Sequence, residues 1–328
     1  MSESTSTIGP TGGLQPAGGG LSHKRAGRIV SKRSFFYRVE PYLFVVPALV
    51  IIAVFQYYPM VGLQLAFKDY IAPLGIWGSP WVGLEHITRF LRSPVFVRVV
   101  TNTIAVSFGT LLVMAPLTLT FALGLNEIGS RKYRGLLQTI SYAPHFVSIV
   151  VIVGMIFLFT SPSSGLVNTV IEELGGEAIH FMVEPGWFLP LYIISQAWQH
   201  LGWGSIIYLA GLSRIDPELH EAAIIDGATR VQRILRINLP YILPIFVIQL
   251  IIQSGRMLQV GFEKVFLMQT ALNRSAAQVL STYTFTVGIQ GGQFAYATSI
   301  GLVRAVVSLL LIIAVNRIAK RLGDTSLW

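Results

Sequence analysis

Asp216-Pro217-Glu218-Leu219-His220-Glu221-Ala222-Ala223-Ile224-Ile225-Asp226-Gly227, followed after nine residues by Ile237-Asn238-Leu239-Pro240, is a charged and well-capped segment lying between two apolar runs. Its local chemistry predicts two short helices joined at a glycine. Asp216 is an N-cap residue, Pro217 suits the first helical position, and Glu218 and Glu221 complement the positive end of the macrodipole. Gly227 can take the left-handed conformation that ends a helix, which makes the first helix about ten residues, or roughly 15 Å. The second starts near Thr229, separates Ile234 and Leu235 from Arg230 and Arg233, and is expected to finish at Pro240.

Outward from this segment the chain is apolar. It is 53% hydrophobic and only 12% charged, with a mean hydropathy of +0.63, a balance suited to lipid rather than water. Runs long enough to cross ~30 Å of hydrocarbon, about 20 residues each, lie at 42–67, 96–125, 136–160, 187–211, 240–258 and 294–316. The expected fold is therefore all-α, a polytopic membrane protein with six transmembrane helices. Residues 1–38 read as a disordered, basic N-terminus, 39–321 as one six-span domain containing the loop 212–240, and 322–328 as a short tail.

Orientation follows from the basic residues, which stay on the cytoplasmic side. Lys24, Arg25, Arg28, Lys32, Arg33 and Arg38 precede the first span, Arg131, Lys132 and Arg134 lie between the second and third, and Arg214, Arg230, Arg233 and Arg236 fill the Glu221 loop. Arg317, Lys320 and Arg321 follow the last. The connection 161–186 has Glu172, Glu173, Glu177 and Glu184 with no Lys or Arg, and belongs outside. Both termini are then cytoplasmic. The net charge of +9 expresses this bias and attraction to anionic lipid, not an affinity for nucleic acid.

The spacing Glu221-Ala222-Ala223, three residues, Gly227, nine residues, Ile237-Asn238-Leu239-Pro240 resembles the EAA loop of permease subunits in bacterial ABC importers. The run Tyr57-Tyr58-Pro59-Met60-Val61-Gly62 through Tyr70 further resembles the branch that takes up oligosaccharides and glycan fragments, with alginate importers in the neighbourhood. The resemblance extends from Tyr42 to Lys320. It implies the type I importer permease fold in the cytoplasmic (inner) membrane, a second homologous permease, two ATP-binding subunits and an extracytoplasmic solute-binding protein. It also implies that Glu221, Ala222, Ala223, Asp226 and Gly227 meet the ATPase, that ATP and magnesium sit on the partner subunits, and that this chain binds no cofactor of its own.

No G-x-x-x-x-G-K-[ST] loop, G-x-S-x-G elbow or H-E-x-x-H pair occurs. Zero cysteines and six scattered histidines suggest no metal site. What the spans carry is polarity. Arg304 sits mid-span, where an unpaired charge is expensive, so it either binds cargo or bonds to Asn102, His145 or a carbonyl. Gln249, Gln253 and Arg256 recur at i, i+4 and i+7, on one helix face that is either a water-lined path or a packing seam. Gln196, Trp198, Gln199, His200 and Trp203 mix amides with aromatics, a set that can grip sugars, while tryptophans also anchor span ends. Gly202 and Gly204 suit close helix packing. The expected function is translocation of a carbohydrate, an oligosaccharide and potentially an acidic one. The alternatives are the same machine with a non-sugar cargo, or an integral-membrane glycosyl or acyl transferase using Asp69, Glu85 or His86.

Overall fold

The computed structural model describes residues 32–258 and 260–322, which excludes the lead 1–22 and the tail beyond Leu322. It divides into two units, one ending at Pro59 and one beginning at Met60. The first contains helix α1 (Lys32–Ile52) and a π turn at Ala53–Tyr57. Residues 32–38, expected within the disordered N-terminus, are helical. Tyr42, Leu43, Phe44, Leu49 and Phe55 stand exposed, the arrangement of a helix solvated by lipid.

The second unit is built on α2 (Glu85–Arg92), α3 (Pro94–Asn126), α4 (Arg131–Tyr142), α5 (Ile149–Phe159), α6 (Leu166–Glu173), α7 (Pro185–Leu212), α8 (Pro217–Ile225), α9 (Leu239–Gly255), α10 (Phe262–Met268), α11 (Leu280–Phe285) and α12 (Phe294–Leu322). Among the described residues no strand forms beyond one bridge between Lys68 and Trp81. The Trp77–Trp81 segment turns as its Gly, Ser and Pro content predicts, with buried Lys68 donating to the carbonyls of Ile76 and Trp77.

Four described helices are long and apolar enough to span a membrane, Tyr42–Phe67, Pro94–Asn126, Arg230–Gly255 and Phe294–Lys320, or five if one bent pair counts as a span. That pair corrects the expected straight third span at 136–160. Arg131–Phe146 and Ile149–Phe159 meet at 98°. Pro144 breaks the ladder, and Ser148 caps the new helix by accepting from the Val151 amide. Helix α7, expected as a span at 187–211, has 28 residues, or ~42 Å at helical rise. Gln196, Gln199, His200 and its tryptophans lower its hydropathy, the price of carrying the polar site.

α3 packs along α7. Phe188 and Tyr192 of α7 join Val106, Val153, Met182, Val260, Val265 and Met268 in one buried cluster. Leu212, at the other end of the same helix, joins Ile215 and Ile242 beneath the charged loop. The backbone of α7 comes so close to α4 that a Cβ on Gly202 would collide with the Ser141 carbonyl. Gly202→Ala must part the two helices, and overpacking of this kind costs roughly 1–3 kcal/mol. A lowered midpoint in detergent thermal denaturation, with Gly129→Ala neutral because open space surrounds that position, is the expected result.

Candidate functional site

The Glu221 loop is built as its sequence predicts. The Asp216 carboxylate accepts from the Glu218 amide at 3.0 Å, and α8 ends with Gly227 at φ +76°. The Gly227 amide bonds to the Ile224 carbonyl and the Ala228 amide to the Ala223 carbonyl, the paired bonds of a Schellman stop. Two residues later Thr229 and Gln232 form a reciprocal capping box. Glu221, Ala222 and Asp226 are exposed. So are Leu219, Ile224 and Ile225, at 54%, 55% and 85%, which leaves apolar groups open on a charged loop. Their signal in the sequence was apolar character inside a basic loop.

Pro240 does not end the second helix. A π turn at Ile234–Asn238 leads straight into α9, and this wider turn tolerates the proline's missing N–H. Buried Asn238 of that turn donates to the Glu127 carboxylate at the end of α3, 3.1 Å away. The loop is thereby tied to the helix bundle.

A cleft of mixed lining, apolar side chains interspersed with polar ones, lies among α3, α7 and α9. One part, of about 190 Å³, is lined by Ser107, Thr110, Gln196, Gln253 and Arg256. The other, of about 240 Å³, is lined by Thr110, Thr118, Gln196, His200, Gln249 and Gln253. Shared Thr110, Gln196 and Gln253 make the two continuous. The i, i+4, i+7 face of the fifth helix therefore does line a cleft, with Arg256 just past the end of α9 and Ser107 bonded to the Met257 carbonyl beside it.

Further side chains support the wall of this cleft. Lys264 of α10, only 2% exposed, donates to Gln196 Oε1 at 3.0 Å and lies 3.5 Å from Gln199 Oε1. Its ammonium also stands 5.6 Å from the Tyr192 ring centre. His200 hydrogen-bonds to His145, Nδ1 to Nδ1 at 3.1 Å, and His145 stacks on Trp203 with centroids 4.4 Å apart. Lys264 escaped sequence reasoning. Its signal was a Glu263-Lys264 pair inside the mostly apolar run Val260–Met268, but spacing alone could not bring the lysine to α7.

The remaining expected site residues fall elsewhere. Arg304 lines a separate cavity of about 460 Å³ with Phe262, Ser281, Thr284, Phe285, Phe294 and Thr298, apart from the glutamine face expected beside it. Neither Asn102 nor His145 bonds to it. Asn102 instead donates to the carbonyls of Ser275 and Gln278, pinning the segment 275–278 to α3, because two convergent carbonyls satisfy both its N–H groups. Trp198 points away from the cleft into an apolar groove with Ile152, Met155 and Phe159. Two helical positions from Gln196 place it on another face of α7.

Comparison with known proteins matches this architecture. Residues 114–324 fit the model of the family described as binding-protein-dependent transport system inner membrane component. The chain is 40% identical over 287 residues to the Polygalacturonan/rhamnogalacturonan transport system permease protein YteP of Bacillus subtilis (strain 168), covering 88% of this chain and 89% of that protein. Protein LplB of the same organism is also 40% identical, with 88% and 90% covered. Among solved structures, a chain of a bacterial alginate ABC transporter in complex with an alginate pentasaccharide-bound periplasmic protein superposes with TM-score 0.82 at 38% identity, covering 90% of this chain and 99% of that one. With its capped loop, its cleft within the bundle and its apolar helices, the chain belongs to the family of inner-membrane permease components of binding-protein-dependent ABC transport systems.

Proposed function

We propose that this permease is the transmembrane subunit of an ATP-driven importer for an acidic oligosaccharide. The observation that carries the reading is the cleft of Gln196, Gln249, Gln253 and Arg256 within the helix bundle, where amides suit hydroxyls and a guanidinium suits carboxylates. One relative named for polygalacturonan and rhamnogalacturonan, and a structural neighbour named for the acidic polysaccharide alginate, support an acidic cargo. The Arg304 cavity, with its phenylalanines and hydroxyls, is a second contact on the same path.

A second permease supplies the other half of the passage. Two ATP-binding subunits, carrying ATP and magnesium, dock on the Glu221–Gly227 loops and on Leu219, Ile224 and Ile225. A binding protein delivers cargo from outside. ATP binding closes the ATPase pair, and each loop passes that movement through the π turn and the Asn238–Glu127 bond to α3 and α9, which wall the cleft. Hydrolysis resets it.

Proteoliposomes holding the complete complex test this. ATP-dependent uptake of trigalacturonate is the expected result, and uptake of peptides or polyamines with no oligosaccharide transported would overturn it. Orientation is tested in the cysteine-free chain, where one introduced thiol is unique. Impermeant maleimide applied from outside should label Ser164→Cys and spare Ser213→Cys, both exposed positions, and the reverse pattern would invert the topology.

A further inference from the structure

Lys264 is buried, yet its partners are two amides and a ring, none of them a carboxylate. An ammonium has three donors and no acceptor. Gln196 and Gln199 must therefore both turn Oε1 toward it, and each amide nitrogen is aimed elsewhere. Gln199 sends its nitrogen to the Val147 carbonyl at 3.4 Å. Gln196 Nε2 has no acceptor among the described residues, and Gln196 is one of the three side chains, with Thr110 and Gln253, common to both parts of the cleft, which hold Arg256 in one and His200 in the other.

An amide normally offers a donor and an acceptor at similar cost and can flip between them. Here the flip would put Nε2 against a charged donor. We infer that Lys264 is a positioning residue that holds Gln196 as a donor-only group facing the cleft, so that the cleft favours cargo groups that only accept, namely carboxylates, over hydroxyls that also need an acceptor. This rests on the cleft being the translocation path.

The ammonium contributes twice. It fixes the amide, and it places a positive charge one residue behind the wall, where low surrounding polarity weakens screening. Arg256 adds a second positive group from α9. Hydroxyls of a neutral sugar would still find the side chains of Ser107, Thr110 and Gln253, so loss of Lys264 removes preference, not every contact.

The test compares uptake of trigalacturonate and of its methyl ester by the reconstituted complex with one binding protein, whose own preference is common to all variants and cancels in the ratio. Lys264→Met keeps the apolar stem and removes the charge; the expected result is an acid-to-ester ratio of kcat/KM lowered about tenfold, with Lys264→Arg restoring most of it. Gln196→Glu, which still accepts from Lys264 but cannot donate and offsets its charge, should lower the same ratio with the lysine kept in place, and serves if Lys264→Met fails to assemble. Equal losses for both substrates, or an unchanged ratio in assembled variants, would make Lys264 a clamp between α10 and α7 and overturn the inference while leaving import intact. A wild-type complex that imports neither substrate would instead remove the carbohydrate reading, and this inference with it.

Discussion

Gly227→Val is expected to reduce ATP hydrolysis stimulated by loaded binding protein to below about a tenth of the wild-type rate, with membrane insertion and the amount of purified complex unchanged. The φ of +76° is one that a β-branched residue resists. Forcing the chain out of it breaks the Gly227–Ile224 and Ala228–Ala223 bonds together and re-aims the whole of α8. Nothing surrounds the glycine within 4 Å, so sterics against the bundle do not enter and the effect reports backbone conformation. Glu221→Lys, on the exposed face of the same helix, should have a similar effect by reversing charge at the contact. Normal stimulation in both variants would remove the loop from ATPase coupling.

The second large effect concerns Arg304. A charge-assisted hydrogen bond contributes roughly 1.5–3 kcal/mol, so Arg304→Gln should lower uptake of an acidic oligosaccharide about ten- to a hundredfold. Arg304→Lys should retain part, since the charge survives while the planar fork is lost. No described residue bonds to this guanidinium, and it faces a cavity that contains hydroxyls and aromatic rings. A merely structural arginine would show equal losses for Gln and Lys variants, with reduced assembly. Wild-type uptake by Arg304→Gln would take the residue out of the path.

Reading the chain without its structure succeeded where chemistry is local. The N-cap at Asp216, the stop at Gly227 and the helix start near Thr229 each depend on neighbours within four residues, and each forms as expected. The glutamine face of α9 was legible for the same reason, since helical spacing alone puts Gln249 and Gln253 on one side. Failure came where distant segments decide. Arg304 and Arg256 are both cations near span interiors, yet lie in different cavities because Arg256 follows the end of α9 while Arg304 is the eleventh residue of α12. Hydropathy saw one span at 136–160, since a proline turn between two apolar helices leaves average composition intact. Pro240 misled in the opposite direction, because a π turn is not written in residue type.

The flanks of Gly227 carry one more consequence, for the kinetics of assembly. Their Schellman bonds and capping box are internal to the loop and need no partner chain to satisfy the backbone. On the proposed function, the surface that receives the ATPase thus exists before that partner arrives. Association then orders little more than side chains, at roughly 0.5–1.5 kcal/mol each, and avoids the slower entry of a segment that must fold on contact. Loosening the loop at Thr229, for instance with Thr229→Gly, would slow engagement even where every residue that touches the ATPase is kept.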